Sequence, residues 1–173
     1  MMHLFKRSLL VVSLFMTMSC AFGQSSKAQL DSLFHTGEKS YRQGNFEKAA
    51  AYYCVAADQG HAKAQNELGN MYVSGKAVPK DYSQALKYYQ AAAKQGEGDA
   101  FFSMGVLYEL GNGVHKDSIQ ADKCYKKALV AYQIAADKGD KTVFSGLGDL
   151  YTYGKGVHSD RKQAVKYYRM GAD

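Results

Sequence analysis

A ten-residue segment from tyrosine to aspartate returns three times in this chain, and that return limits the folds open to it. The copies run from Tyr72 to Asp81, from Tyr108 to Asp117 and from Tyr151 to Asp160. Each sets a glycine three residues after its tyrosine (Gly75, Gly111, Gly154) and an alanine four residues after its aspartate (Ala85, Ala121, Ala164). The glycines stand 36 and then 43 residues apart. A period of that size marks a stacked repeat, in which each unit buries its apolar face only against its neighbours. Such a stack offers an open surface more readily than an enclosed active site.

Between the copies the spacing is helical. Ala64, Leu68 and Tyr72 are four apart and line one helix face. A glycine follows the central apolar residue at one register: Gly69 after Leu68, Gly105 after Met104, Gly148 after Leu147. Glycine inside a helix costs about 1 kcal/mol relative to alanine. Its recurrence therefore predicts a close approach by a neighbouring helix, backbone to backbone. Gly75, Gly111 and Gly154 are placed to close this first helix in the left-handed conformation. Val78, Val114 and Val157 are single apolar residues in polar loops and are expected to plug the gap between paired helices.

Asp81, Asp117 and Asp160 each precede a glutamine by three residues (Gln84, Gln120, Gln163), the spacing of a capping box that starts a second helix. That helix mixes small and large residues, as in Ala85, Tyr88, Tyr89, Ala92 and Ala93, which suits close packing. Most of the 14 tyrosines fall in such positions. The third repeat is seven residues longer, about two turns at 3.6 residues each, so the same face stays buried if its second helix is simply longer. A loop insertion is the alternative, although the segment has no Gly or Pro to break a helix. After Tyr167 and Tyr168 only five residues remain, so the last repeat is expected to be incomplete and the array to lack a polar cap. Either the chain continues in a longer protein or this end supports self-association.

The N-terminus reads as a secretory signal peptide. Lys6 and Arg7 precede an apolar run from Leu9 to Met18, and Ala21-Phe22-Gly23 fits a cleavage site that leaves Gln24 first. The run is too short for a spanning helix. Cys20 offers a lipoprotein alternative, which would tether the chain to a membrane. The expected location is secreted or periplasmic. Without residues 1–23 the chain keeps 20 Lys and Arg against 16 Asp and Glu, spread with no basic run, which argues against nucleic-acid binding. Cys54 and Cys124 lie two repeats apart, on the order of 20 Å at the usual helix spacing, too far for a disulfide and therefore expected as free thiols.

The combined pattern Ala-x-x-x-Leu-Gly-x-x-Tyr, Gly-x-Gly-Val-x-x-Asp and Ala-x-x-Tyr-Tyr-x-x-Ala-Ala-x-x-Gly resembles the Sel-one-like repeat, a branch of the tetratricopeptide superfamily. It is met at Ala64 to Gly96, Ala100 to Gly139 and Val143 to Asp173, with Ala77, Met104 and Val143 as mild departures. The resemblance implies an all-α, right-handed α-solenoid of stacked antiparallel helix pairs. The division expected is a signal peptide at 1–23, a linker at 24–29 and a tetratricopeptide-like first repeat at 30–60. Sel-one-like repeats follow at 61–96, at 97–139 with the seven-residue helical insertion, and at 140–173, the last one incomplete.

Nothing in the sequence carries a catalytic motif: there is no nucleophile elbow, metalloprotease helix or phosphate loop. His115 and His158 recur at one loop position, about 20 Å apart for packed helix pairs, too far to share a metal. No enzyme activity, metal or cofactor is expected. The resemblance implies an adaptor that binds a peptide or protein on the concave side, which the first helices line. Counting from each repeat glycine, the residues left over from packing are Phe34, Glu38 and Arg42; Lys63, Asn66 and Asn70; Asp99, Phe102, Val106 and Glu109; and Thr142, Ser145, Asp149 and Thr152. Phe34 and Phe102 are the expected anchors, since aromatics dominate interface energetics, although both could equally join the core. The alternative is a cell-wall-directed hydrolase or glycan-binding module in the groove, with Glu109 and Asp149 as the carboxylate pair.

Overall fold

The computed structural model describes residues 25–172. The segment expected as a signal peptide and Cys20 therefore lie outside the described residues. Within them the chain forms α1 (Lys27–Arg42), α2 (Phe46–Asp58), α3 (Ala62–Ser74), α4 (Tyr82–Ala93), α5 (Gly98–Leu110), α6 (Ser118–Asp137), a 3-10 turn (Lys141–Val143), α7 (Phe144–Tyr153) and α8 (Arg161–Ala172). No strand occurs among them. α1 packs on α2, α3 on α4, α5 on α6 and α7 on α8; α2 then meets α3, α4 meets α5 and α6 meets α7. The result is a stack of helix pairs with a continuous core.

The recurring segment is the hinge of each pair. α3, α5 and α7 end at Gly75, Gly111 and Gly154, with φ of 70°, 74° and 65°. The chain then turns until the N–H of Asp81, Asp117 and Asp160 donates to the carbonyl of Tyr72, Tyr108 and Tyr151 at 3.0, 2.9 and 3.0 Å. That bond fixes the nine-residue interval between tyrosine and aspartate. The aspartate carboxylates accept from the N–H of Gln84, Gln120 and Gln163 at 3.0, 2.9 and 3.1 Å. These are N-caps but not the expected capping boxes, because the cap's own N–H already serves the tyrosine carbonyl. The reciprocal box forms instead at Ser26 and Gln29, ahead of α1.

The loop valines are half-buried at the seams between successive pairs. At the second loop glycine the backbone itself is crowded: a Cβ on Gly113 would lie 2.5 Å from Tyr82 Cβ, and one on Gly156 would lie 2.5 Å from the Lys126 nitrogen. Ala77 holds the same place in the first copy and takes φ 61°, the one positive φ outside glycine among the described residues.

The helical glycines serve a different purpose from the one expected. What approaches them is a tyrosine ring from the paired helix, not its backbone. A Cβ added at Gly69 would meet Tyr89 Cε1 at 2.5 Å, one at Gly105 would meet Tyr125 Cε1 at 2.5 Å, and one at Gly148 would meet Tyr168 Cε1 at 2.4 Å. Gly37 and Tyr53 repeat the contact in the first pair at 2.6 Å.

The seven extra residues of the third repeat lie within one unbroken helix: α6 has 20 residues where α4 has 12. Tyr125 and Tyr132, seven apart, are both buried on it. Tyr132 wedges between Gly98 of α5 and Gly146 of α7, where added Cβ atoms would stand 2.5 and 2.6 Å from its ring. One helix thus seats two rings and ties two successive pairs. Cys124 is buried and Cys54 half-buried, both as free thiols.

Gly105→Ala should lower stability. The methyl overlaps a buried ring, an overpacking cost of about 1–3 kcal/mol, against a helix-propensity gain of about 1 kcal/mol. A net loss of up to about 2 kcal/mol is expected in urea denaturation, and a midpoint above the parent's would refute the seating of Tyr125 on Gly105.

Candidate functional site

The first helices α1, α3, α5 and α7 carry the residues expected to line the groove. On α3, α5 and α7 the tyrosine that seats on a helix glycine reaches past it with its hydroxyl. Tyr89 donates to Asn70 Oδ1 at 2.7 Å, Tyr132 to Asp99 Oδ1 at 2.5 Å and Tyr168 to Asp149 Oδ1 at 2.6 Å. In all three the acceptor directly follows the glycine. In the third repeat that place holds Val106, which cannot accept, and Tyr125 turns to Glu109 Oε2 at 2.5 Å. Burial pushes Tyr89, Tyr125 and Tyr132 up, Tyr89 to about 12, and the carboxylates of Glu109 and Asp99 add to it at Tyr125 and Tyr132, so all three stay protonated donors. Asn70, Asp99, Glu109 and Asp149 therefore belong first to the packing of the stack.

Phe34 is a correction to the expected binding set. It is 6 % exposed and sits in the first core cluster, its ring stacked on His61 at 4.9 Å. It is not an anchor for a partner. Asn66 is a second correction: it is 3 % exposed, its amide nitrogen donates to Glu67 at 3.3 Å, and its Oδ1 has no donor among the described residues. Successive helix pairs close over this register at α1 and α3. At the third repeat the same register holds Phe102, which is half-buried against Tyr125 with Lys155 Nζ 5.6 Å above its ring. Val106 is half-buried beside it.

Arg42, Lys63, Asp99, Thr142, Ser145 and Thr152 remain exposed, and Glu38, Asn70, Glu109 and Asp149 are partly so. Lys63 lies 3.5 Å from Asp140, joining the second pair to the turn before the fourth. His61 is used on both nitrogens, accepting from the Ala64 N–H at 3.1 Å and meeting Asp31 at 3.1 Å. Among the described residues no three His, Cys, Asp or Glu side chains gather as a metal site, and no helix is long and apolar enough to cross a membrane.

Two groups of carboxylates differ in their charge environment. Burial raises Glu67, and the nearby carboxylates of Asp99 and Glu38 add to it. Burial likewise raises Glu97, with Asp99 adding. Lys155, 2.8 Å from Glu109, and the Tyr125 hydroxyl hold Glu109 below the usual carboxylate range. A carboxylate held ionised is unfit for the general-acid half of the hydrolase reading, and Asp149 is occupied by Tyr168.

Sequence reading did not find Lys155, Glu67, or the triad of Gly98, Tyr132 and Gly146. Lys155 sits in a loop, yet bonds back to the Glu109 and Tyr125 of the preceding pair. Its counterpart Lys76 reaches Tyr41 at 3.0 Å and lies 4.8 Å over the Phe46 ring. The shared Gly-Lys dipeptide was the available signal. The electrostatic sum was likewise invisible in linear order: α3, α5 and α7 carry four carboxylates, Glu67, Asp99, Glu109 and Asp149, and one lysine, Lys63.

A family model described as Sel1 repeat matches residues 32–61, 62–97, 99–129 and 145–173. The first match covers the unit read above as tetratricopeptide-like, and the third stops within α6. Among solved structures the chain is similar to a Sel1 repeat protein from Oxalobacter formigenes, with 36% identity, 83% of this chain and 57% of that one covered, and a TM-score of 0.51. It is also similar to a protective antigen present in uropathogenic Escherichia coli strains displaying an SLR fold, with 26% identity, 84% and 38% covered, and a TM-score of 0.54. The chain thus spans less than two thirds of either structure's length. No curated protein gives a significant match.

The raised Glu67 has a stability consequence. A buried acid with a folded pKa above its unfolded value, about 4.3, stabilises the fold below that value and loses the contribution as pH rises through the folded pKa. Mild acidification from neutrality should therefore raise the denaturation midpoint of the parent, and less so in Glu67→Gln. Parallel pH profiles for the two chains would show that Glu67 is not strained by burial.

Proposed function

The chain belongs to the Sel1 repeat family, whose members are generally protein-interaction adaptors, and on that premise we propose that it holds an extended cationic peptide segment along its first-helix side. The carrying observation is the row of carboxylates on α3, α5 and α7 against a single lysine. Tyrosine hydroxyls fix Asp99, Glu109 and Asp149 in place, so little side-chain freedom is lost when a cation docks. Asp99 is exposed and Asp149 partly so, which leaves acceptor capacity beyond the tyrosine bond, while Glu109 already carries Lys155. Phe102 and Val106 supply an apolar floor between them. Lysine or arginine side chains spaced along a strand-like segment would meet successive repeats in turn.

Asp99→Asn with Asp149→Asn tests this without dismantling the fold. Asparagine still accepts the tyrosine hydroxyl, as Asn70 does from Tyr89. Two exposed charge contacts at about 0.5–1 kcal/mol each correspond to roughly a tenfold loss of affinity. In fluorescence anisotropy the parent should prefer Lys/Arg-rich peptides, and the preference should fade with salt. Equal binding by the double variant, or a preference for acidic peptides, would rule the reading out.

We propose further that the protein works outside the cytoplasm, on the strength of the N-terminal Lys6-Arg7, apolar run and Ala21-Phe22-Gly23 pattern. N-terminal sequencing of the chain from a bacterial host should begin at Gln24. A lipid-modified start at Cys20 would select the lipoprotein form, and a chain retaining Lys6 in the cytosol would defeat the export reading.

A further inference from the structure

The second-helix side has the opposite character. α4, α6 and α8 together carry eight Lys and Arg residues and two aspartates. One of those, Asp122, is paired with Lys126 at 2.8 Å. Along α6, Ile119, Lys123, Lys126, Val130 and Ile134 follow one another at intervals of three and four and so share the outward face. Ile119 is 69 % exposed, Val130 53 % and Ile134 49 %. Single exposed aliphatic residues need no explanation, but three interleaved with lysines on one stripe form a pattern. Val130 and Ile134 lie in the two turns by which α6 exceeds α4, beyond residue 129 where the family match stops. On α8, Val165 is likewise exposed among cations.

We propose that this side, centred on α6, docks on the surface of an anionic lipid bilayer. The chemistry selects that occupant. A nucleic acid or acidic protein would reward the charges but leave the aliphatic groups in water. A bilayer interface rewards both: the branched side chains enter the boundary between headgroups and acyl chains, while lysine ammoniums stay with the lipid phosphates. The cations of α6 are all lysine, whose long stems suit that arrangement. α6 is held in the stack by Tyr125 and Tyr132 on its inner face, so its outer stripe is rigid and needs no folding to bind. The docking leaves the first-helix carboxylates on the other side and does not rest on the peptide reading.

The chain contains no tryptophan, so one introduced residue is a clean fluorophore. In the full chain, Ile134→Trp should show blue-shifted emission with vesicles of phosphatidylcholine and phosphatidylglycerol, and no shift with phosphatidylcholine alone. Ser145→Trp, on the first-helix side, should not shift with either. In co-sedimentation, Lys123→Gln/Lys126→Gln/Lys127→Gln should lower binding to the anionic vesicles at least tenfold, whereas Asp99→Asn/Asp149→Asn should leave it unchanged. The N-terminal apolar run is common to all variants and cannot produce a difference between them; circular dichroism checks that each is folded. An unshifted Ile134→Trp chain, an equal shift from Ser145→Trp, or tighter binding to duplex DNA or polyglutamate than to the vesicles would overturn the proposal.

Discussion

The contact that organises this molecule is a tyrosine ring packed on a glycine of its partner helix, and in the second, third and fourth pairs its hydroxyl is bonded to a polar group of that same helix. The ring brings a large apolar area, and the glycine lets it lie against bare backbone. The hydroxyl must then find an acceptor, since a buried donor left unpaired costs about 1–3 kcal/mol. Both requirements fall on adjacent residues in the second pair, Gly69 and Asn70, and in the fourth, Gly148 and Asp149. Each pair is thereby held at one distance and one angle. Tyr132 applies the same contact between pairs, resting on α5 and α7 together.

This packing rule also creates the electrostatics. Carboxylates recruited to satisfy tyrosines collect on the first-helix side, because that is where the rings point. α4, α6 and α8, which supply rings, have no such need, and their outward positions are rich in lysine and arginine. From the second pair onward the stack is thus two-faced as a consequence of how it is held together. An acidic side with fixed acceptors and a cationic side with interleaved aliphatic groups have different natural occupants.

Much of the fold was legible in the chain because its chemistry is local. The Tyr-to-Asp interval encodes a helix stop, a turn and a helix start, all settled within ten residues, as the bonds from Asp81 to Tyr72 and from Gln84 to Asp81 show. The seven extra residues kept the helical face, so a longer α6 was readable. The candidate site was less legible. Phe34 and Asn66 share a register with Phe102 and Ser145, yet the first two are closed over and Ser145 is exposed. Register names the side of a helix, not how closely the next pair approaches there. The helical glycines were noticed, but their partner was misjudged, because a ring arriving from 20 residues away leaves no mark beside the glycine.

By itself, the amino-acid sequence determined the all-helical class, the pairing of helices and the sites of their caps, since these follow from spacing and from backbone groups near one another in the chain. Tertiary structure alone decided which groove residues stay in water, which carboxylate each tyrosine takes, and that lysines scattered in linear order share one side. Those outcomes depend on distances between residues of different repeats, set when the pairs stack, and no interval along the chain records them.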